Sequence, residues 1–157
     1  MTRLPSKLLS QHMPASELST TLGSYEVRFA LEAEGARLAA LRRIAEQMAE
    51  LEARLSELVK ALRSNGDGGE EDMRLHQAIM SATGNQAFVI SFDALSSDIG
   101  RVLRAGILIS RVRSETAVQT MIQEHTAIVE AIRQRDPERA ALSMRWHLSQ
   151  GRMRLTP

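Results

Sequence analysis

Cysteine is absent from this sequence of 157 residues, and its absence excludes several kinds of chemistry. A chain without cysteine forms no disulfide, has no thiolate nucleophile and offers no sulfur ligand to a metal. Any metal that it binds must therefore be held by histidine and carboxylate side chains. The formal net charge is only +1, so the chain also lacks the basic excess that draws proteins onto nucleic acid or anionic lipid.

Aromatic residues and long apolar runs are scarce as well. Aromatics make up 3% of the chain, and the helix-favouring residues Leu, Ala, Arg, Glu and Met dominate instead. No run approaches the ~18 apolar residues of a membrane span, and the N-terminus lacks a hydrophobic signal segment. With 43% hydrophobic and 25% charged residues, the composition is that of one folded domain. We expect a cytoplasmic, all-α protein with no membrane contact.

The first part of the chain has no sustained apolar period. Pro5, Pro14, Gly23 and several Ser and Thr residues lie there. Such composition is typical of a loose end of a domain. We predict that residues 1–23 form a poorly ordered extension or a short docking segment, and that residues 24–155 form the single helical domain.

Apolar spacing predicts about six helices in that domain. From Ser24, a predicted N-cap, apolar residues recur every three or four positions, as on the buried face of an amphipathic helix. The first stripe comprises Val27, Leu31, Leu38 and Leu41, and the second comprises Met48, Leu51, Leu55, Leu58 and Leu62. We place a break between them at residues 42–46. Further helices are predicted at about 70–82 and 88–103, from Ser114, and from Asp136. Short connections make this an antiparallel bundle.

Three of the four histidines, His76, His125 and His147, lie on the apolar faces of separate predicted helices. Asp72 precedes His76 by four residues, so both side chains lie on one helical face. Burying these four groups without partners is costly, and a divalent cation would satisfy all of them. One such histidine alone is more often a core residue, and His12 in the extension is interpreted as a surface residue. Together the four favour a metal site.

Three regions of the sequence carry motifs in a defined order. The opening reads YEVRFALE at residues 25–32 and ARLAA at 36–40; the middle reads DMRLH at 72–76 and ATGN at 82–85. The closing motif, at residues 124–148, reads EHTAIVEAIRQRDPERAALSMRWHL. These motifs resemble the FCD domain, the effector-binding half of FadR-type GntR bacterial transcription regulators. The resemblance covers about residues 24–153, and Leu75 departs from it, since the family usually has Phe there.

The resemblance implies a ligand set and an effector class. In metal-containing members, an acid and three histidines at these motif positions hold one divalent ion, which here implies Asp72, His76, His125 and His147. Three nitrogens and one oxygen suit Zn best, with Ni, Mn or Fe as alternatives, and do not favour Ca or Mg. A small carboxylate effector would fill the open coordination positions, and the protein would be a homodimer.

Several further residues are candidates for binding the effector. Arg28 lies in the opening motif, and Arg101 and Arg104 lie on the predicted fourth helix; an arginine could clamp a carboxylate with two hydrogen bonds. Asn85 is a candidate for orienting the pocket, with a helix-cap role as the alternative. Trp146 precedes the candidate metal ligand His147 and so lies on a different face of the helix. This position favours a packing role for Trp146 in the bundle or in a dimer.

The sequence departs from the family in its DNA-binding element. A regulator of this type carries a winged helix-turn-helix before the sensor, whereas residues 1–23 hold no strand pair or recognition helix. We therefore expect no direct DNA binding by this chain, and contact with DNA only through such a domain.

The alternatives to a sensor are a metal-dependent enzyme acting on a sugar or organic acid, and a metal-free oligomerisation module. We expect no catalysis, because Glu71 and Glu124 are predicted to face away from the cavity and leave no general base beside Asp72.

Overall fold

The computed structural model describes residues 15–64, 68–96 and 114–155, and these three ranges contain helices and no strand. The helices are α1 (Ala15–Arg42), α2 (Ala45–Arg63), α3 (Gly69–Ser81), α4 (Gln86–Ala94), α5 (Glu115–Arg133) and α6 (Pro137–Leu155). Helix α1 packs against α6, α3 and α5, while α2 packs against α3 and α5. The six helices of these ranges confirm the prediction of an all-α bundle of about six helices. None of the described helices has the length and apolar character needed to cross a bilayer.

Helix α1 begins earlier than the sequence predicted. It starts at Ala15, so of the two alternatives predicted for this segment, a poorly ordered extension is wrong for residues 15–23, which are helical. Residues 1–14 lie outside the described residues. Ser24 is therefore inside the helix and not its N-cap, and its hydroxyl donates to the carbonyl of Thr21 (2.6 Å). The burial of Thr21 and Tyr25 explains the difference, because packing on both sides of Gly23 offsets the weak helix propensity of glycine.

The buried face of α1 also differs from the predicted stripe. Val27 and Leu41 are 50% and 48% exposed, whereas Tyr25, Arg28 and Glu32 are at most 2% exposed. The prediction was right for Leu38, which is buried, and for Leu31, which packs against the core. It was wrong for Val27 and Leu41, because apolar periodicity does not detect a helix face that buries charged side chains. Beyond Glu32 the same face continues with small residues, which bring α1 close to its neighbours; they are Ala33, Ala36, Ala39 and Ala40.

Helix α2 and the connections follow the sequence rules closely. The break before α2 lies where it was predicted, and four of the five stripe residues are buried: Met48, Leu51, Leu58 and Leu62. Gly84 has a left-handed φ of 67° after α3. Ser114 accepts a hydrogen bond from the backbone N–H of Ala117 (3.2 Å), and Asp136 accepts one from Arg139 (3.0 Å). The predicted caps of α5 and α6 are therefore confirmed.

Helix α4 comprises nine residues, Gln86–Ala94, and ends with Leu95 as its C-cap, so the prediction of one helix over residues 88–103 was wrong. Phe92 on this helix is fully buried. Residues 97–103, the rest of the predicted segment, lie outside the described residues.

Candidate metal centre

The four predicted ligands meet in the interior of the bundle. Asp72 and His76 come from α3, His125 from α5 and His147 from α6, and none is more than 4% exposed. Each offers one donor atom, and these four atoms all lie within 4.8 Å of one another. The convergence that the sequence predicted is therefore present.

Asp72 lies between two of the imidazole rings. Its Oδ1 atom is 3.1 Å from Nε2 of His76 and 3.1 Å from Nε2 of His125. The ring centroids of His125 and His147 are 4.2 Å apart, and the ring of Phe92 stacks on His76 at 6.4 Å. One carboxylate and three imidazoles thus share a small space that is closed on one side by an apolar ring.

Two of the rings are oriented by acceptors outside the centre. Nδ1 of His125 donates to the carbonyl of Met121 (2.8 Å), and Nδ1 of His147 donates to Oε2 of Glu124 (3.0 Å). A neutral imidazole that donates from Nδ1 keeps its lone pair on Nε2, which is the atom that would ligate a cation. This arrangement is the one that metal-ligating histidines use.

The third ring is oriented by a buried ion pair on α1. Nδ1 of His76 contacts Oε2 of Glu32, whose other oxygen accepts a hydrogen bond from Nε of Arg28 (2.6 Å). The guanidinium of Arg28 lies 5.0 Å from the ring centre of Tyr25. Burial raises the pKa of Glu32, but Arg28 and His76 lower it by more, to about 2. Glu32 is therefore an ionised carboxylate in the core.

Opposing electrostatic influences act on two of the histidines. Burial lowers the pKa of His76, but the carboxylates of Glu32 and Asp72 outweigh this effect and raise the pKa to about 9. Burial and the neighbouring His125 together lower the pKa of His147 to about 4, although the hydrogen bond to Glu124 acts in the opposite direction. The carboxylates of Glu32 and Asp72 thus favour a positive charge at or near His76, and a bound divalent cation would supply that charge.

Two buried polar atoms have no hydrogen-bond partner within the part of the chain that the structure describes. One is Nη2 of Arg28, and the other is Nε2 of His76, which lies 3.1 Å from Oδ1 of Asp72 but without the geometry of a hydrogen bond. Leaving a buried donor without a partner costs about 1–3 kcal/mol, and more for a charged group. One atom belongs to a proposed ligand of a cation and the other to a cationic donor, so together they fit a metal ion accompanied by an anion.

Two carboxylates of this site were missed by the sequence analysis. Glu124 does not join the four converging donors, but it is 5% exposed and contacts Nδ1 on the outer side of His147, a role that the sequence analysis did not assign to it. Helix α5 packs against α6 on one side and α1 and α2 on others, so its buried sector is wide enough for two successive residues. Glu32 is fully buried and was also overlooked. Its spacing of four residues from Arg28 was the available signal, since such a pair shares one helical face.

The remaining predicted residues lie outside this cluster or outside the described residues. Asn85 is exposed, and its side chain accepts a hydrogen bond from the backbone N–H of Ala87 (3.0 Å), so the structure shows its cap role. A role for Asn85 in effector binding stays a prediction. Arg101 and Arg104 lie outside the described residues. Trp146 is 60% exposed and lies on another face of α6 than the neighbouring ligand, as predicted.

Comparisons with known proteins agree with the sequence motifs. The family model of the FCD domain matches residues 24–150. The galactonate operon transcriptional repressor of Escherichia coli (strain K12) is 31% identical over 122 residues, which cover 76% of this chain and 52% of the repressor. The chain thus spans about half the length of that relative. The solved structure of Streptococcus agalactiae GntR has a TM-score of 0.71 at 20% identity, over 91% of this chain and 62% of the other, which is a likeness in fold.

Proposed function

This chain belongs to the FCD domain family, and on that premise we propose that it is the effector-sensing domain of a GntR-type transcription regulator. It binds one divalent transition metal and a small organic acid in the bundle interior. The observation that carries this proposal is the convergence of four buried donor atoms within 4.8 Å, contributed by Asp72, His76, His125 and His147. The name of the similar repressor supports a regulatory role.

The residues present fit a transition metal. Three imidazole nitrogens and one carboxylate oxygen suit Zn, Ni, Mn or Fe, with Zn the first choice, and disfavour the oxygen-seeking Ca and Mg. The partnerless Nε2 of His76 is where such an ion would remove a desolvation cost. When bound, the cation would neutralise the buried acid and attract an anionic ligand.

The effector that we propose is a small carboxylate. Arg28 is 1% exposed, is fixed by Glu32 and keeps one partnerless guanidinium nitrogen. A carboxylate that reached both the cation and this nitrogen would gain a charge-assisted hydrogen bond shielded from water. Because the similar repressor is named for a galactonate operon, sugar acids are the first compounds to test.

Signalling would arise from the number of helices that the site joins. The ligands lie on α3, α5 and α6, and Arg28 lies on α1. An effector that binds both the cation and Arg28 would draw α1 toward α3, α5 and α6. It shifts the equilibrium between two conformations of the domain if it binds one of them more tightly. Typical coupling free energies of about 1–3 kcal/mol would suffice. We propose that a separate DNA-binding region reads this change and that the protein acts as a homodimer, which sedimentation equilibrium measures.

We propose no catalytic role for this site. The two buried carboxylates that could serve as a general base, Glu32 and Glu124, are both engaged with arginine and histidine partners. Their contacts support a role in orienting the ligands. Metal-dependent turnover of a sugar acid by the purified protein would contradict this part of the proposal.

Metal analysis is the most direct test. We expect purified protein to hold about one transition metal ion per chain, and we expect a chelator to lower its melting temperature. His125→Ala should abolish stoichiometric metal binding and remove the effect of the chelator. Protein without stoichiometric metal, whose melting temperature a chelator leaves unchanged, would refute the proposed function.

Effector binding is tested by a thermal-shift screen of lactate, citrate, gluconate, glucuronate and galactonate, each with and without added Zn or Ni. We expect at least one acid to raise the melting temperature only when the metal is present. Stabilisation that is equal in the presence of a chelator would contradict binding through the metal.

A further inference from the structure

We propose that Arg154, in the last turn of α6, is a positioning residue for the metal centre that acts on His147 through Glu124. The inference rests on the proposed function, because it assigns a role toward the same metal. It gives the C-terminal turns of α6 a part in ligand binding that neither the donor set nor the sequence motifs assign.

Arg154 holds both oxygens of Glu124. Its Nη1 donates to Oε2 (3.2 Å), and its Nη2 donates to Oε1. The same Oε2 accepts the hydrogen bond from Nδ1 of His147 (3.0 Å). Because a guanidinium fixes a carboxylate in its own plane when it binds both oxygens, Arg154 determines where Oε2 lies and hence how the imidazole is turned.

The pair formed by Arg154 and Glu124 is more deeply buried than the ion pairs at the surface. The side chains of Arg154 and Glu124 are 11% and 3% exposed, whereas Arg54 on α2 is 29% exposed and its partners Glu50 and Glu57 are about half exposed. When an exposed ion pair is broken, water hydrates the charged groups and little stability is lost. A buried carboxylate that loses its partner has no water to take the partner's place. Without Arg154, Glu124 would lose the partner of its outer oxygen and rotate toward solvent.

The positions of Arg154 and His147 in the sequence indicate that two turns of α6 are coupled. Arg154 follows His147 by seven residues, so the two lie two turns apart on the same side of α6. Both reach Glu124 on α5, which therefore fastens the last two turns of α6 to α5 at one point. Since terminal turns open more readily than helix interiors, docking of this turn and metal binding should stabilise each other.

The affinity of the full chain for Zn, measured by competition with a chromophoric chelator, tests the role of Arg154. Loss of an outer-sphere partner typically costs about 10–100-fold in metal affinity, and we expect Glu124→Ala to fall in this range. Arg154 is one contact further out, so Arg154→Ala should cost about 3–10-fold, and Arg154→Lys should recover part of the loss. Arg54→Ala, which breaks exposed ion pairs, is the matched control and should bind Zn as the unaltered protein does.

A double substitution separates positioning from a general loss of stability. If Arg154 acts through Glu124, then Arg154→Ala should have no further effect on Zn affinity in a chain that already carries Glu124→Ala. An equal loss of affinity in both backgrounds would overturn the proposal. Arg154→Ala with unchanged Zn affinity would overturn it as well.

A second readout needs no metal. In nitrogen-15 NMR spectra of the chelator-treated protein, His147 should carry its proton on Nδ1, and Arg154→Ala should populate the form protonated on Nε2. An unchanged His147 signal in this variant would contradict the positioning role. If the unaltered protein binds no Zn at all, the proposed function fails, and this spectrum alone decides whether Arg154 orients His147.

Discussion

Helices α1 and α2 each bury one face, but the two faces differ in their chemistry. The buried face of α2 is wholly apolar, with Met48, Leu51, Leu58 and Leu62. The buried face of α1 places Arg28 and Glu32 among small residues, and these charges meet His76 on α3. An apolar face stabilises the fold without regard to which partner it meets, whereas a charged face is tolerable only where specific partners satisfy it. The contrast separates the part of the bundle that supports the fold from the part that we propose binds the metal and the effector.

The largest effect is expected where the charged face loses its central carboxylate. Glu32→Gln leaves the guanidinium of Arg28 buried without a counter-charge, and breaking a buried pair in this way typically costs about 3–5 kcal/mol. We expect the free energy of unfolding to fall by about this amount, together with metal affinity.

Glu34→Gln is the matched control, because Glu34 lies on the same helix and pairs with Arg37 at the surface. Its loss should change stability by less than about 1 kcal/mol. Equal effects of the two substitutions in urea denaturation would show that the charged face of α1 has no special role.

A large effect of another kind is expected on the apolar face of α2. Leu51→Ala removes a fully buried side chain and should lower the free energy of unfolding by about 2–5 kcal/mol. Because Leu51 contributes no polar atom to the centre, the folded protein should keep its full metal content. Loss of metal from Leu51→Ala at a temperature where the protein remains folded would contradict the separation of the two faces.

The same contrast explains which features could be predicted from the sequence. The stripe of α2, the N-cap Ser114 and the N-cap Asp136 follow local rules, so the sequence predicts them without a partner. The four proposed ligands were identifiable because polar groups on apolar faces are unusual. Glu32 and Glu124 were missed because their roles arise from contacts between helices, with residues 44 and 23 positions away in the chain. The spacing of Arg28 and Glu32 indicates a pair on one face of α1. No local pattern encodes the contacts that the two glutamates make with histidines on other helices.

The start of α1 was missed for a related reason. Serines, threonines and Gly23 make residues 15–23 weak helix formers by propensity, yet the segment is helical and Thr21 and Tyr25 are buried. Tertiary packing outweighs propensity at such positions, and packing partners cannot be read from the segment itself.

A moderate effect on effector binding is expected at Arg28. Arg28→Lys keeps the charge but removes the planar fork, so it cannot hold Glu32 and reach a carboxylate effector at once. Hydrogen bonds to charged groups contribute about 1.5–3 kcal/mol, which corresponds to about a 10–100-fold weaker affinity for the effector.

Calorimetric titration of the zinc-loaded protein with galactonate, or with the acid that gives the largest thermal shift, measures this loss. Arg37→Lys is the control, since Arg37 pairs with Glu34 at the surface of the same helix. Metal content should be retained in both variants. An unchanged effector affinity in Arg28→Lys would exclude the proposed clamp.

The smallest effect is expected at Asn85, and it decides between the two roles predicted for that residue. Asn85 and Ser114 each cap a helix by accepting one backbone hydrogen bond, from Ala87 and Ala117 respectively. Replacing such a cap by alanine typically costs about 1 kcal/mol, so Asn85→Ala and Ser114→Ala should destabilise the protein to a similar extent. Because Asn85 is exposed while the proposed ligands are buried, neither substitution should change effector affinity. A selective loss of effector binding in Asn85→Ala would place this loop at the mouth of the pocket and extend the binding site from the charged face of α1 to the start of α4.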